Sequence, residues 1–222
     1  MSRQRGKLIT FEGLDGVGKS TQIKNLARWL RGRGIDPIIT PEPGGTALGQ
    51  KLRSVLLNSR TSRLSPLAEL ALMFADRAQH IDELILPALH RGEWVLCDRF
   101  TDSSAAYQGG GRELGNGIIR QMHKLVCHDL QPDLTILMVS DPAASLKRAR
   151  RRNIERSRRN RADENRFEQE SRAFYQRVHE AYLAIAEREP QRVVKVDAKE
   201  PVAAVHKKIV GIVEERLGRI GR

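Results

Sequence analysis

The chain has 222 residues, 40% of them apolar and 5% aromatic, enough for one α/β domain with a core that needs neither disulfides nor metal. No apolar run approaches the roughly 18 residues of a membrane span, and Met1-Ser-Arg-Gln-Arg-Gly lacks the apolar core of a secretory signal, so a cytoplasmic location is expected. The net charge of +12 favours polyanionic partners, nucleic acid or nucleotide triphosphate; between Lys147 and Arg172 eleven Lys or Arg face five acidic residues.

Five strand-like runs alternate with helical patterns along the chain. The strands are 7–12, 37–40, 94–98, 134–140 and 193–196; the helices are 19–31, 47–57, 66–91, 118–128, 143–152, 167–188 and 202–217. This alternation predicts a parallel sheet with helices on both faces, in a single domain covering 1–222. The first strand, Leu8-Ile9-Thr10-Phe11, suits a central position buried on both sides. Cys97 lies in a strand and Cys127 in a helix, neither within a CxxC or a histidine-rich stretch, so both read as buried reduced thiols.

Between the first strand and first helix, Gly13-Leu14-Asp15-Gly16-Val17-Gly18-Lys19-Ser20 satisfies GxxxxGK[ST] in full. In that context the backbone N–H groups from Gly13 to Thr21 cradle phosphate, Lys19 reaches the β- and γ-phosphates, and the Ser20 hydroxyl ligates Mg²⁺. The third strand ends in Asp98-Arg99, which puts a second oxygen ligand for Mg²⁺ beside this loop. Three further stretches carry unusual chemistry for scaffold: Pro41-Glu42-Pro43-Gly44-Gly45-Thr46, Met73-Phe74-Ala75-Asp76-Arg77, and the polar run from Asp98 to Arg112.

Together with FEGLDGVGKST (11–21), EPGGT (42–46), KLRSVLL (51–57), LMFADRAQ (72–79), CDRFTDSSAAYQGGGR (97–112), PDLTILMVS (132–140) and FEQE (167–170), these stretches resemble the thymidylate kinases over most of the chain. The resemblance implies a P-loop NTPase fold with a five-stranded parallel sheet, a short arginine-rich lid at 148–166, ATP and dTMP as substrates, Mg²⁺, and a homodimer. It implies that Phe74 stacks on the thymine ring, that Arg77, Ser104 and Gln108 read the base edges, and that Tyr107 lies below the sugar. Arg53 and Arg99 would hold the acceptor phosphate, Asp15 the sugar 3′-hydroxyl, and Glu42 would lie at the same end of the site.

Because Gly16-Val17 offers no basic residue in the loop, the pattern resembles the branch that supplies arginines from the lid, where Arg148, Arg150 and Arg152 match. Arg152 is then the contact to the transferring phosphoryl group and Arg148 an ATP contact, with Lys19 and Arg99 the other catalytic cations. The chain departs from the family at Pro41, where arginine often stands, and at Asn165, where aspartate does. Two other readings are a kinase for another nucleoside monophosphate and a nucleic-acid-dependent P-loop ATPase. The basic stretch before Phe167 contains no aromatic residue for base stacking, and neither a specific nucleic acid nor a membrane is expected as a partner.

Overall fold

The computed structural model describes residues 5–58, 61, 64–160, 164 and 166–218, with the side chains of 152 and 154–160 excepted. Arg152, the expected lid contact, therefore lies outside the described side chains. Five parallel strands, β1 (Leu8–Glu12), β2 (Ile38–Pro41), β3 (Val95–Asp98), β4 (Leu134–Val139) and β5 (Val193–Asp197), stand in the order β2-β3-β1-β4-β5. Every residue of β1 is buried, as its uninterrupted apolar run requires of the middle strand of a sheet covered on both faces.

On one face α1 (Lys19–Arg31) and α9 (Val202–Leu217) press Ile23, Leu26, Ile209 and Val213 against Ile9, Phe11 and Ile136. The other face carries α2 (Ala47–Leu57), α3 (Pro66–His80), α4 (Leu86–His90), α5 (Thr101–Ser104), α6 (Asn116–Val126) and α8 (Arg172–Arg188) over two further apolar clusters. The remaining helix, α7 (Pro142–Asn160), follows β4 and runs beyond the expected end at 152. Both cysteines are buried free thiols. Among the described residues no helix is long and apolar enough to cross a membrane.

Three elements differ from the expected pattern, each for a local reason. The helix predicted over 66–91 contains a π-turn at Ile81–Ile85, with the Leu86 N–H bonded to the Ile81 carbonyl. Pro87, which has no N–H to continue the ladder, follows at once. The helix predicted from 167 is a 3-10 turn at Phe167–Gln169 that opens at Glu170, after which the Ser171 side chain caps α8 by accepting from the Phe174 N–H. The polar run after Asp98, outside the predicted elements, is α5 continuing through a π-segment, Ala105–Gly111. This segment packs against α8 so closely that a Cβ on Gly111 would sit 2.6 Å from the Phe174 ring.

Candidate active site

The phosphate loop leaves the carboxyl end of β1 and turns into α1 through Gly18, whose φ of 104° admits glycine readily. Gly16 has a φ of 77° and approaches α7 so tightly that a Cβ would fall 2.5 Å from the Ser145 carbonyl oxygen. Leu14 and Val17 turn their side chains into the core, leaving only their backbone to the loop. Lys19 folds back over the loop, donating to the Gly13 and Leu14 carbonyls at 3.0 and 3.1 Å. Burial, followed by the neighbouring Arg99 charge, lowers its pKa to about 8.

Ser20 donates to the Asp98 carboxylate at 3.0 Å, so the two expected metal ligands meet at the mouth of the loop. A hydroxyl and a carboxylate are hard oxygen donors of the kind Mg²⁺ takes. Arg148 lies across the loop, its Nε donating to the Gly16 carbonyl at 2.8 Å and a terminal nitrogen to Ser140 and Ser145. From the lid helix, then, one of the expected arginines reaches the loop. Another, Arg150, instead donates to the Glu168 carbonyl at 3.0 Å and braces the 3-10 turn.

Two cavities adjoin here, one of 830 Å³ over the phosphate loop and one of 100 Å³ leading inward between α3 and the π-segment. Asp15, Glu42, Arg53, Arg99 and Glu164 line both, which marks the junction where two ligands would meet. Arg99 donates to Asp15 at 2.9 Å and Tyr107 at 3.2 Å through one terminal nitrogen, and to Ser103 and Tyr182 at 3.0 Å through the other. Tyr107 donates in turn to Asp15 at 3.1 Å. Arg53 grips the lid carboxylate of Glu164 with both sides of its fork, at 2.8 and 2.9 Å, and donates to the Pro43 carbonyl.

Deeper in, Arg77 donates to Glu42 at 2.7 Å, Ser104 at 3.0 Å and the Phe100 carbonyl at 3.1 Å. His80 bonds the other Glu42 oxygen at 2.8 Å and Thr40 at 2.7 Å. Burial disfavours the ionised form of Glu42, but the Arg77 charge and the His80 hydrogen bond outweigh it and hold the carboxyl below its ordinary range. Gln108 lines the small cavity while its amide donates to buried Glu69 at 2.8 Å. Glu69 also receives Arg112 and Arg166.

Phe74 is fully buried beneath the Arg77 guanidinium, 4.8 Å from ring centre to Cζ, and it is Met73 that lines the small cavity. The reason is helical periodicity, for Leu70, Phe74, Arg77 and Ile81 form one buried stripe at spacings of four and three. The neighbouring stripe, Glu69, Met73, Asp76 and His80, turns toward the site. Sequence reasoning assigned no role to Glu12, Ser103, Tyr182 and Phe167, although Glu12, Ser103 and Phe167 lie within the quoted motifs.

A phosphate loop, an adjoining pair of arginines and a closed inner pocket on one α/β sheet describe a two-substrate phosphotransferase site, and the model of the family "Thymidylate kinase" matches residues 11–209. The chain belongs to the thymidylate kinase family. Thymidylate kinase of Desulfovibrio desulfuricans is 47% identical over 214 residues, 96% of this chain and 98% of the relative. That of Alkalilimnicola ehrlichii is 46% identical over 90% of this chain and 89% of its own length. The crystal structure of thymidylate kinase from Ehrlichia chaffeensis superposes with a TM-score of 0.73 at 30% identity, covering 94% of this chain and 99% of that one. The matched region contains both cavities and the segment between β4 and α8.

Proposed function

We propose that this chain transfers the γ-phosphate of ATP to dTMP, giving dTDP and ADP. The observation that supports the reading best is the junction itself, where Arg99 and Arg53 stand between the phosphate loop and an inner pocket lined by Met73, Ser104, Tyr107 and Gln108. ATP binds with its phosphates in the loop from Gly13 to Thr21, under Lys19 and Arg148. The nucleoside of dTMP enters the inner pocket beside Met73, Ser104, Tyr107 and Gln108, with Arg77 at its end. Its phosphate meets Arg53 and Arg99, and Asp15 lies against the sugar.

Transfer is an in-line attack by an acceptor phosphate oxygen on the γ-phosphorus, with the bond to the ADP oxygen breaking as the new P–O bond forms. The attacking oxygen is already ionised, so positioning and charge neutralisation suffice without a general base. Lys19 and Arg99 supply positive charge from the two sides, and the resemblance adds a lid arginine, Arg152. Ser20 and Asp98 would hold Mg²⁺, which when bound neutralises phosphate charge. Glu42, with both oxygens engaged by Arg77 and His80, acts as the fixed wall of the acceptor pocket.

The reading includes a cytoplasmic homodimer, supported by the exposed apolar side chains of Leu48 and Val55 on α2 and Leu67 on α3. Light scattering coupled to gel filtration tests that part. The activity is tested by ADP release with Mg-ATP and dTMP, dUMP, dCMP, dGMP, AMP or no acceptor. Turnover with dTMP far above the others is expected; equal release without any acceptor would replace the kinase reading with that of an ATPase.

A further inference from the structure

The last residue of the central strand has no role in the scheme above. Glu12 is wholly buried, where a carboxylate is tolerated only if its oxygens are fully hydrogen-bonded. They are. Oε1 accepts from the backbone N–H groups of Phe100 at 2.7 Å and Ser103 at 3.2 Å; Oε2 accepts from the Ser103 hydroxyl at 2.6 Å and the Tyr182 hydroxyl at 2.9 Å.

The two backbone donors belong to the start of α5. Phe100 is its N-cap residue and has no side-chain acceptor, so a carboxylate from a distant strand satisfies both the N-cap N–H and the N–H three residues later. The residue just before, Arg99, adopts a left-handed φ of 77°, a strained conformation for a non-glycine residue that persists only where its surroundings enforce it. Its own N–H is held by the Phe11 carbonyl at 3.0 Å and the next N–H by Glu12. The last two residues of β1 thus pin the turn that aims Arg99.

The hydroxyls carry a further consequence. Ser103 and Tyr182 each have one hydroxyl hydrogen. Given to Glu12, these hydrogens leave oxygen lone pairs for the Arg99 N–H groups, which reach them at 3.0 Å. Burial, followed by the Asp102 charge, pushes the Glu12 pKa up to about 7, so above that pH the ionised carboxylate dictates that both hydroxyls accept from Arg99.

We propose that Glu12 is a positioning residue for the acceptor phosphate, acting through the Arg99 turn and through the direction of the Ser103 and Tyr182 hydroxyls. The inference rests on the reading of Arg99 as the clamp for that phosphate. In Glu12→Gln the amide oxygen can keep the two backbone donors, whereas its NH₂ must donate where Oε2 accepted. One hydroxyl can then donate to the other, 2.9 Å away, and the remaining hydroxyl hydrogen is left to face the Arg99 N–H groups, donor against donor.

The test is steady-state kinetics with dTMP and Mg-ATP, together with thermal unfolding. It compares wild type, Glu12→Gln, the double variant Ser103→Ala/Tyr182→Phe, and the triple combination. For Glu12→Gln, kcat/KM for dTMP falls by about tenfold, the scale of one charged hydrogen bond, with KM for Mg-ATP within about twofold of wild type. In the double variant there are no hydroxyls to reverse, so adding Glu12→Gln lowers kcat/KM by less than about threefold. A full tenfold loss in that background, or a parallel loss of Mg-ATP binding and melting temperature, overturns the proposal. Should Glu12→Gln not fold, the double variant alone decides: a raised dTMP KM with unchanged Mg-ATP KM supports it, and an unchanged dTMP KM overturns it. Wild-type turnover with dTMP is measured first, since its absence sinks the substrate reading, while normal wild-type turnover with indifferent variants sinks only the role of Glu12.

Discussion

Glu164 holds the Arg53 guanidinium in the two-point fork that a phosphate would take, so the incoming acceptor phosphate must displace a carboxylate before it can bind. Both side chains are about one-third exposed, 29% and 33%, which places the pair nearer the surface regime than the buried one. A bidentate pair in that setting contributes about 1 kcal/mol. Glu164→Gln keeps the shape, removes the charge and leaves a weaker competitor, so dTMP should bind about fivefold more tightly. Isothermal titration at low ionic strength reads this directly, and added salt should narrow the difference by screening the wild-type pair. Equal or weaker binding in the variant would show that Arg53 is not the group the phosphate engages, or that Glu164 assists the bound state.

The two residues at the middle of α3 separate by property. Phe74→Ala should cost about 3–5 kcal/mol in denaturant unfolding, because a fully buried ring leaves a cavity under Arg77. Met73→Ala should instead raise the dTMP KM severalfold with little change in melting temperature. Ser20→Ala should lose most Mg-dependent turnover while dTMP titration is unchanged, which would fail if Ser20 merely caps Asp98. Stability should also fall in acid. Burial raises the Glu69 pKa, but hydrogen bonds from Arg112 and Gln108 outweigh it and bring it below 4.5 when folded; its contribution is present above 4.5 and lost as pH drops through the folded value. Urea midpoints taken from pH 6 to pH 3 should therefore drop less steeply in Glu69→Gln than in wild type.

The fold and the phosphate loop were legible because they rest on local rules. A strand, a glycine loop and a helix in immediate succession define the phosphate site within fourteen residues, from Leu8 to Thr21, and the alternation of elements defines the sheet. The acceptor side depends on which way a helix is rotated, and a single sequence settles that only by counting. Leu70, Phe74, Arg77 and Ile81 repeat as a core stripe, yet an aromatic three residues before an arginine also has the form of a base platform. Glu12 was harder to find, because its partners lie 88, 91 and 170 positions away and nothing in the local pattern points to them.

Three arginines of the site are paired with carboxylates from within, Arg99 with Asp15, Arg53 with Glu164 and Arg77 with Glu42, while Lys19 donates to loop carbonyls. Exposure distinguishes those that exchange partners on binding from those that do not. The Arg77–Glu42 pair is nearly sealed, at 3% and 2% exposure, and separating it would leave a buried charge at a cost of about 3–5 kcal/mol, more than a new neutral hydrogen bond returns. That pair is a permanent wall, and a base can meet only the outer edge of its guanidinium. The Arg53–Glu164 and Arg99–Asp15 pairs open to the cavity, where water and phosphate compete for the same donors. On the proposed reading, phosphate recognition falls to the pairs that can open, and base recognition to the one that cannot.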